Sequence, residues 1–163
     1  MEPVVIADLH SGLASANEVQ RWKAASHLGE FVERVPEAVW GLVVQWGCSD
    51  HEDTRAAVAN CVLEHLLEHH FASVFPRVEE LALADPRFAD TFCWCWRYGQ
   101  SDQPANAARF ESLRARLLAR GAAYPAIAAD RPEGAAVRRG RHTPCGLAVE
   151  ALIGAGSRMI ACS

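Results

Sequence analysis

Lysine is almost absent from this 163-residue chain: Lys23 stands alone beside 15 arginines, the bias that GC-rich coding produces. Long apolar runs are missing as well. No stretch approaches the roughly 18 continuous apolar residues that a membrane span needs. The first twenty residues lack a basic start leading into an apolar run, so no secretory signal is expected. Six Cys without an export signal read as reduced thiols of a cytoplasmic protein, not as a disulfide frame. Large aromatics run out early: every Trp and every Phe lies at or before Phe110.

Charge divides the chain at the same place. Residues 1–120 carry 11 basic and 17 acidic side chains, a balance of -6, while residues 121–163 carry five Arg and three acids, a balance of +2. A single domain is therefore expected over residues 17–120, long enough to bury a core without staples. Residues 121–163, rich in Ala, Gly and Arg, have little with which to offset ordering entropy and are expected to form a disordered tail. Within them only Leu147–Ile153 has the spacing of a short helix. Residues 1–16, with β-prone Val4-Val5-Ile6 followed by Gly and Ser, read as an N-terminal arm.

What remains is helical throughout. Ser15 and Ser49, each with Glu three residues later, have the capping-box pattern. Val19, Trp22, Ala25, Leu28 and Val32 follow the first at helical spacing. Pro36 suits the first turn of a second helix, with Val39, Trp40 and Val43 inward and Gly47 as its stop. The second box opens a third helix reaching about His70, with Ala59, Val62, Leu63 and Leu66 on one face. A fourth spans Ser73–Leu83 with Pro76 in its first turn. Asp85-Pro86 caps a fifth, carrying Phe88, Phe92, Cys95 and Trp96 to Gly99. After a loop over residues 100–106, Asn106 caps a sixth with Phe110, Leu113 and Leu117 inward. The expectation is an all-α fold of about six helices, with no strand pair.

Arg21–Gly29 overlays Arg55–Leu63 at an offset of 34 residues: Arg meets Arg, Ala25 meets Ala59, Leu28 meets Val62. Each is followed by a helix with an early Pro, so the unit is a helical hairpin. On Asn17 to Arg21 with Ala25 and Leu28, and Asp50 to Arg55 with Ala59 and Leu63, the chain resembles the HEAT-repeat family and its bacterial HEAT-like relatives over roughly residues 17–99. That resemblance implies an α-α superhelix in which an acid or amide starts each first helix and the Arg helps tie neighbouring repeats. It also implies a scaffold that binds macromolecules and no catalysis.

Three clusters carry chemistry worth weighing. His65-Leu-Leu-Glu68-His69 matches the His-x-x-Glu-His pattern of inverted zinc peptidases, since His residues four apart on a helix can share a metal while Glu68 activates water. A third ligand is missing, so the plainer reading is a helix flank with Glu68 toward water; no metal or cofactor is expected. Cys93 and Cys95 lack the second pair of a zinc site and read as core filler. Trp94, Arg97, Tyr98 and Asp90 are the candidate binding residues. HEAT-like alkylpurine DNA glycosylases hold damaged nucleotides with Trp and acidic side chains, which makes such an enzyme the alternative. An acidic domain nonetheless disfavours nucleic acid, which wants a basic stripe. The reading is a non-enzymatic scaffold or adaptor for a protein partner.

Overall fold

The computed structural model describes residues 2–123, and their side chains from Asp8 onward. All of its regular structure is helical, with no strand among the described residues. The elements are α1 (Glu2–Leu13), α2 (Glu18–Gly29), α3 (Pro36–Gly47), α4 (Glu52–Val58), a π-helical turn (Ala59–Leu63), α5 (Glu64–Ala84), α6 (Pro86–Cys93), a 3-10 turn (Gly99–Asp102) and α7 (Pro104–Ala119). Of the tail expected over residues 121–163, Gly121–Ala123 are held to the helices by hydrogen bonds to Leu118, Leu117 and Asp90, and the rest, Leu147–Ile153 included, lies outside the described residues.

The helices stack as hairpins in two layers. In one layer α2 packs on α4 and the π turn, and α4 packs on α6; in the other α3 meets α5, and α5 meets α7. The core runs between the layers. Phe71 and Phe75 stack at 4.5 Å, and Phe75 also meets Phe92, which lies 4.5 Å from Phe110. These rings, all fully buried, bind α5, α6 and α7 together, each contributing about 1.5–3 kcal/mol by leaving water. Trp40 of α3 joins them edge-on through Phe88 at 6.2 Å.

Several boundaries differ from the sequence expectation. The N-terminal stretch read as an arm over residues 1–16 contains α1, which packs on α2 with Leu9 and Leu13 buried. Gly12 permits this approach: a Cβ there would stand 2.7 Å from the Cβ of Ala24. The fifth helix stops at Cys93 instead of Gly99, so Cys95 and Trp96 lie beyond it on irregular backbone. Residues 99–102 form a 3-10 turn inside the expected loop, and α7 begins at Pro104. Asn106 is thus inside the helix, where its amide donates to the Gln100 carbonyl at 2.8 Å.

Neither serine is the residue that caps its helix. Asn17 takes that place in α2, its side chain accepting from the Gln20 N–H, and His51 precedes α4 without a side-chain bond. Ser15 and Ser49 sit two residues earlier, their hydroxyls accepting the N–H groups of Asn17 and His51 at 3.1 and 3.2 Å. Both are short polar turns in which a hydroxyl substitutes for a backbone acceptor.

The expected third and fourth helices are one element broken at His70, whose φ of -132° and ψ of 34° leave the helical region. The broken ends do not go unpaired. Gln100 donates its side-chain amide to the His69 carbonyl at 2.6 Å and accepts the Phe71 N–H at 3.0 Å. The His70 ring lies 3.0 Å from the Val32 carbonyl, just past α2. Pro76, expected in a first turn, instead lies six residues past the break and inside the helix, where it offers no N–H to the carbonyl four residues earlier. A second irregularity lies upstream: α2 presses Gly29 against the π turn, so a Cβ on Gly29 would lie 2.3 Å from the Cys61 carbonyl oxygen.

Candidate functional site

Repetition in the sequence becomes a repeated bond in space. Arg21 donates to the Ser15 carbonyl at 2.6 Å and reaches into the next hairpin, where its Nε lies 2.7 Å from Asp53 Oδ2 and its Nη2 bonds the same oxygen. Arg55 donates to the Ser49 carbonyl at 2.9 Å and likewise turns to the following hairpin, where Asp90 waits on α6. Its contact is looser, 3.7 Å from Nη2 to Asp90 Oδ2, and its buried Nε has no hydrogen-bond partner. The reason is that Asp90 is shared.

Asp90 Oδ1 accepts the backbone N–H of Ala123 at 2.6 Å, and the indole N–H of Trp94 donates to the carbonyl of the same residue at 3.1 Å. Trp94 is only 7% exposed, and the Arg55 guanidinium lies 5.4 Å from its ring. Both backbone groups of Ala123 are held this way, by a carboxylate and an indole backed by one cation. The chain reaches the site by turning at Gly121, whose φ of +94° suits glycine. Alongside runs a groove of about 350 Å³, lined largely by small or apolar residues such as Ala82, Pro86, Ala89 and Leu117, with Asp90 on its wall.

Of the four candidate binding residues, then, the structure brings Asp90 and Trp94 together and sets the others apart. Arg97 sits between Glu111, 3.0 Å away, and Asp102, 3.5 Å away. Tyr98 belongs to the following turn, where its N–H donates to Ser101 Oγ at 2.8 Å and its carbonyl accepts the Ser101 hydroxyl at 2.7 Å. With the fifth helix ending at Cys93, no helical face carries all four. Sequence reasoning marked Arg55 as a repeat residue but not as a member of this cluster. It gave Gln100 to a loop and set Glu64 on the polar face of its helix, yet Glu64 is buried and its carboxylate accepts the Trp96 N–H at 3.2 Å, since partners this distant leave no local spacing.

His65 Nδ1 lies 2.9 Å from Glu68 Oε2, and His69 Nε2 lies 3.7 Å from that oxygen and 3.5 Å from Glu33 Oε1. Glu68 is not turned to water as its helix position suggested: its side chain is 11% exposed and packs against Gly99. Among the described residues no three His, Cys, Asp or Glu side chains are grouped so as to hold a metal. Cys93 and Cys95 are buried free thiols. Burial pushes the Cys93 thiol up to about 11, with Arg114 opposing, and pushes Cys95 well above the ordinary value. Cys95 Sγ lies 3.5 Å from the Ala59 carbonyl of the π turn and from the Thr91 carbonyl, so it packs and bonds as a neutral thiol. No helix of the described residues is long and apolar enough to cross a membrane.

No family model, curated protein or solved structure matches the chain.

Proposed function

We propose that this protein is a non-enzymatic helical-repeat scaffold or adaptor of HEAT-like type, cytoplasmic, that binds a protein partner. One observation carries the reading: Asp90 and Trp94 spend their polar groups on polypeptide main chain, the N–H and C=O of Ala123. An arrangement that bonds backbone and ignores side-chain identity is suited to polypeptide. The Arg21–Asp53 and Arg55–Asp90 contacts between successive hairpins support the repeat assignment, because they supply the tie that the HEAT resemblance implies.

The glycosylase alternative needs Trp and acid presented to a nucleotide within a basic surface. Trp94 is buried with its N–H in use, and Arg97 is flanked by two carboxylates, so this cluster offers phosphates little. The test is a pull-down with the full-length protein from a native-host lysate, followed by calorimetry with the captured protein after its separate purification. Saturable binding at fixed stoichiometry is expected. Release of free base from alkylated DNA, with no stoichiometric protein complex, contradicts the proposal.

A further inference from the structure

We infer that Arg55, Asp90 and Trp94 form a main-chain clamp for a partner segment, and that the chain's own Ala123 fills the clamp in the free protein. This rests on the protein-binding reading above and names the surface and the segment it takes. Both main-chain groups of one residue are gripped: its N–H and C=O are bonded at 2.6 and 3.1 Å, and neither bond involves its side chain. Extended peptides are recognised in this way, by backbone for affinity and by the neighbouring pocket for selectivity.

The self-contact is built to be exchangeable. Arg21 and Arg55 occupy matching positions, yet Arg21 Nε bonds Asp53 at 2.7 Å while Arg55 Nε, in a residue only 8% exposed, bonds nothing. The Asp90 carboxylate is drawn toward Ala123, and the Arg55–Asp90 bond is left long at 3.7 Å. When Ala123 withdraws, Asp90 has Arg55 beside it and is not left bare, which lowers the cost of opening. Gly121, at a φ of +94°, ends α7, and its N–H and that of Ala122 stay on the Leu118 and Leu117 carbonyls at 3.0 and 3.1 Å, so withdrawal of Ala123 leaves the helix stop in place and gives up only the bonds to Asp90 and Trp94. Selectivity follows from the surroundings. The clamped residue must carry an N–H, which excludes proline, and the groove beside it, walled by Ala82, Ala89 and Leu117, suits small apolar neighbours.

The probe is a fluorescein-labelled peptide of the chain's own Arg120–Ala126, Arg-Gly-Ala-Ala-Tyr-Pro-Ala, titrated into full-length protein by anisotropy. Ala123→Pro removes the N–H that Asp90 accepts and so vacates the clamp. It should bind the peptide at least 10-fold more tightly than the unmodified protein, and Asp90→Ala in that background should abolish the gain. A peptide with proline at the clamped position should not bind. Equal binding by the unmodified and Ala123→Pro proteins, or binding that survives Asp90→Ala, overturns the inference. Should Ala123→Pro lose helical signal, isotope-labelled peptide with the unmodified protein decides: at saturating peptide an isotope-filtered contact between the Trp94 indole N–H and the peptide is expected, and its absence overturns the clamp. A captured protein partner that binds Asp90→Ala undiminished also overturns the clamp, while leaving the scaffold reading standing.

Discussion

Arg21 and Arg55 do the same thing one hairpin apart: each bonds the carbonyl of the serine six residues earlier and reaches an aspartate of the following hairpin. The two differ in tightness. Asp53 Oδ2 accepts two bonds from Arg21, whereas Asp90 is divided between Arg55 and the Ala123 backbone. The same pair of residues is thus a close strut in one place and, in the other, a looser contact that also holds the Ala123 backbone.

Gln100 closes the break in α5, and its removal should be felt there. Gln100→Ala leaves the His69 carbonyl and the Phe71 N–H without their present partner, and should cost about 1–3 kcal/mol in chemical denaturation. Gly99→Ala should cost a similar ~1–3 kcal/mol, because φ is +50° and a Cβ would lie 2.7 Å from Glu68 Cγ. Amide exchange at Phe71 should accelerate in both variants. Unchanged stability in Gln100→Ala contradicts this account of the break.

Gly29→Ala tests the approach of α2 to the π turn. Its Cβ would meet a backbone carbonyl at 2.3 Å, a contact that no rotamer relieves, so a loss of about 1–3 kcal/mol or more is expected from overpacking. Gly41→Ala is the control, since no atom lies within 4 Å of its added Cβ. That variant should be neutral or slightly stabilising, because alanine suits a helix interior better than glycine by ~1 kcal/mol. Equal midpoints for the two variants would falsify the packing argument.

These cases show what was legible in the sequence. Helical spacing and the prolines at 36 and 86 announce an all-α fold because they act within a few residues, and the Arg21/Arg55 repetition is legible because the same local pattern recurs 34 residues on. Helix α1 was hidden: Val4-Val5-Ile6 favours strand locally, and only the crossing at Gly12 and Ala24 brings α1 close against α2. The end of α6 was hidden for the same kind of reason. Phe92, Cys95 and Trp96 keep a helical pattern past Cys93, while the backbone leaves it to meet Glu64, 32 residues away. Asp90 and Trp94 were legible as candidates by residue type. Their shared ligand, Ala123, was not, since nothing in the local sequence marks an alanine as held.

The thiols set a pH limit on stability. Cys93 and Cys95 have folded-state values raised above the ordinary 9.0, Cys93 to about 11. Neutral thiol is therefore favoured by folding: the stabilisation is complete below pH 9 and is lost as pH rises through the folded values. The urea midpoint should fall steadily from pH 9 to 11, and the fall should be shallower in Cys93→Ala. Native protein should react slowly with thiol reagents at Cys93 and Cys95 at pH 8. Identical pH slopes with and without Cys93 contradict the assignment.

His65 and Glu68 pair with each other at 2.9 Å, and the pair serves the helix flank. Glu68→Gln should cost about 1 kcal/mol through that bond, and purified protein should carry no stoichiometric zinc. Copurifying zinc near one equivalent, with peptide hydrolysis lost in Glu68→Gln, reverses the assignment.

The central claim is that successive hairpins are tied through the arginines, and a double-mutant cycle on Arg21 and Asp53 in the full-length protein measures it most directly. Chemical denaturation of Arg21→Ala, Asp53→Ala and the double variant should give a coupling of about 1–3 kcal/mol, larger than the same cycle on Arg55 and Asp90, where the closest contact is 3.7 Å. A coupling near zero at Arg21–Asp53, or a larger one at Arg55–Asp90, contradicts the account.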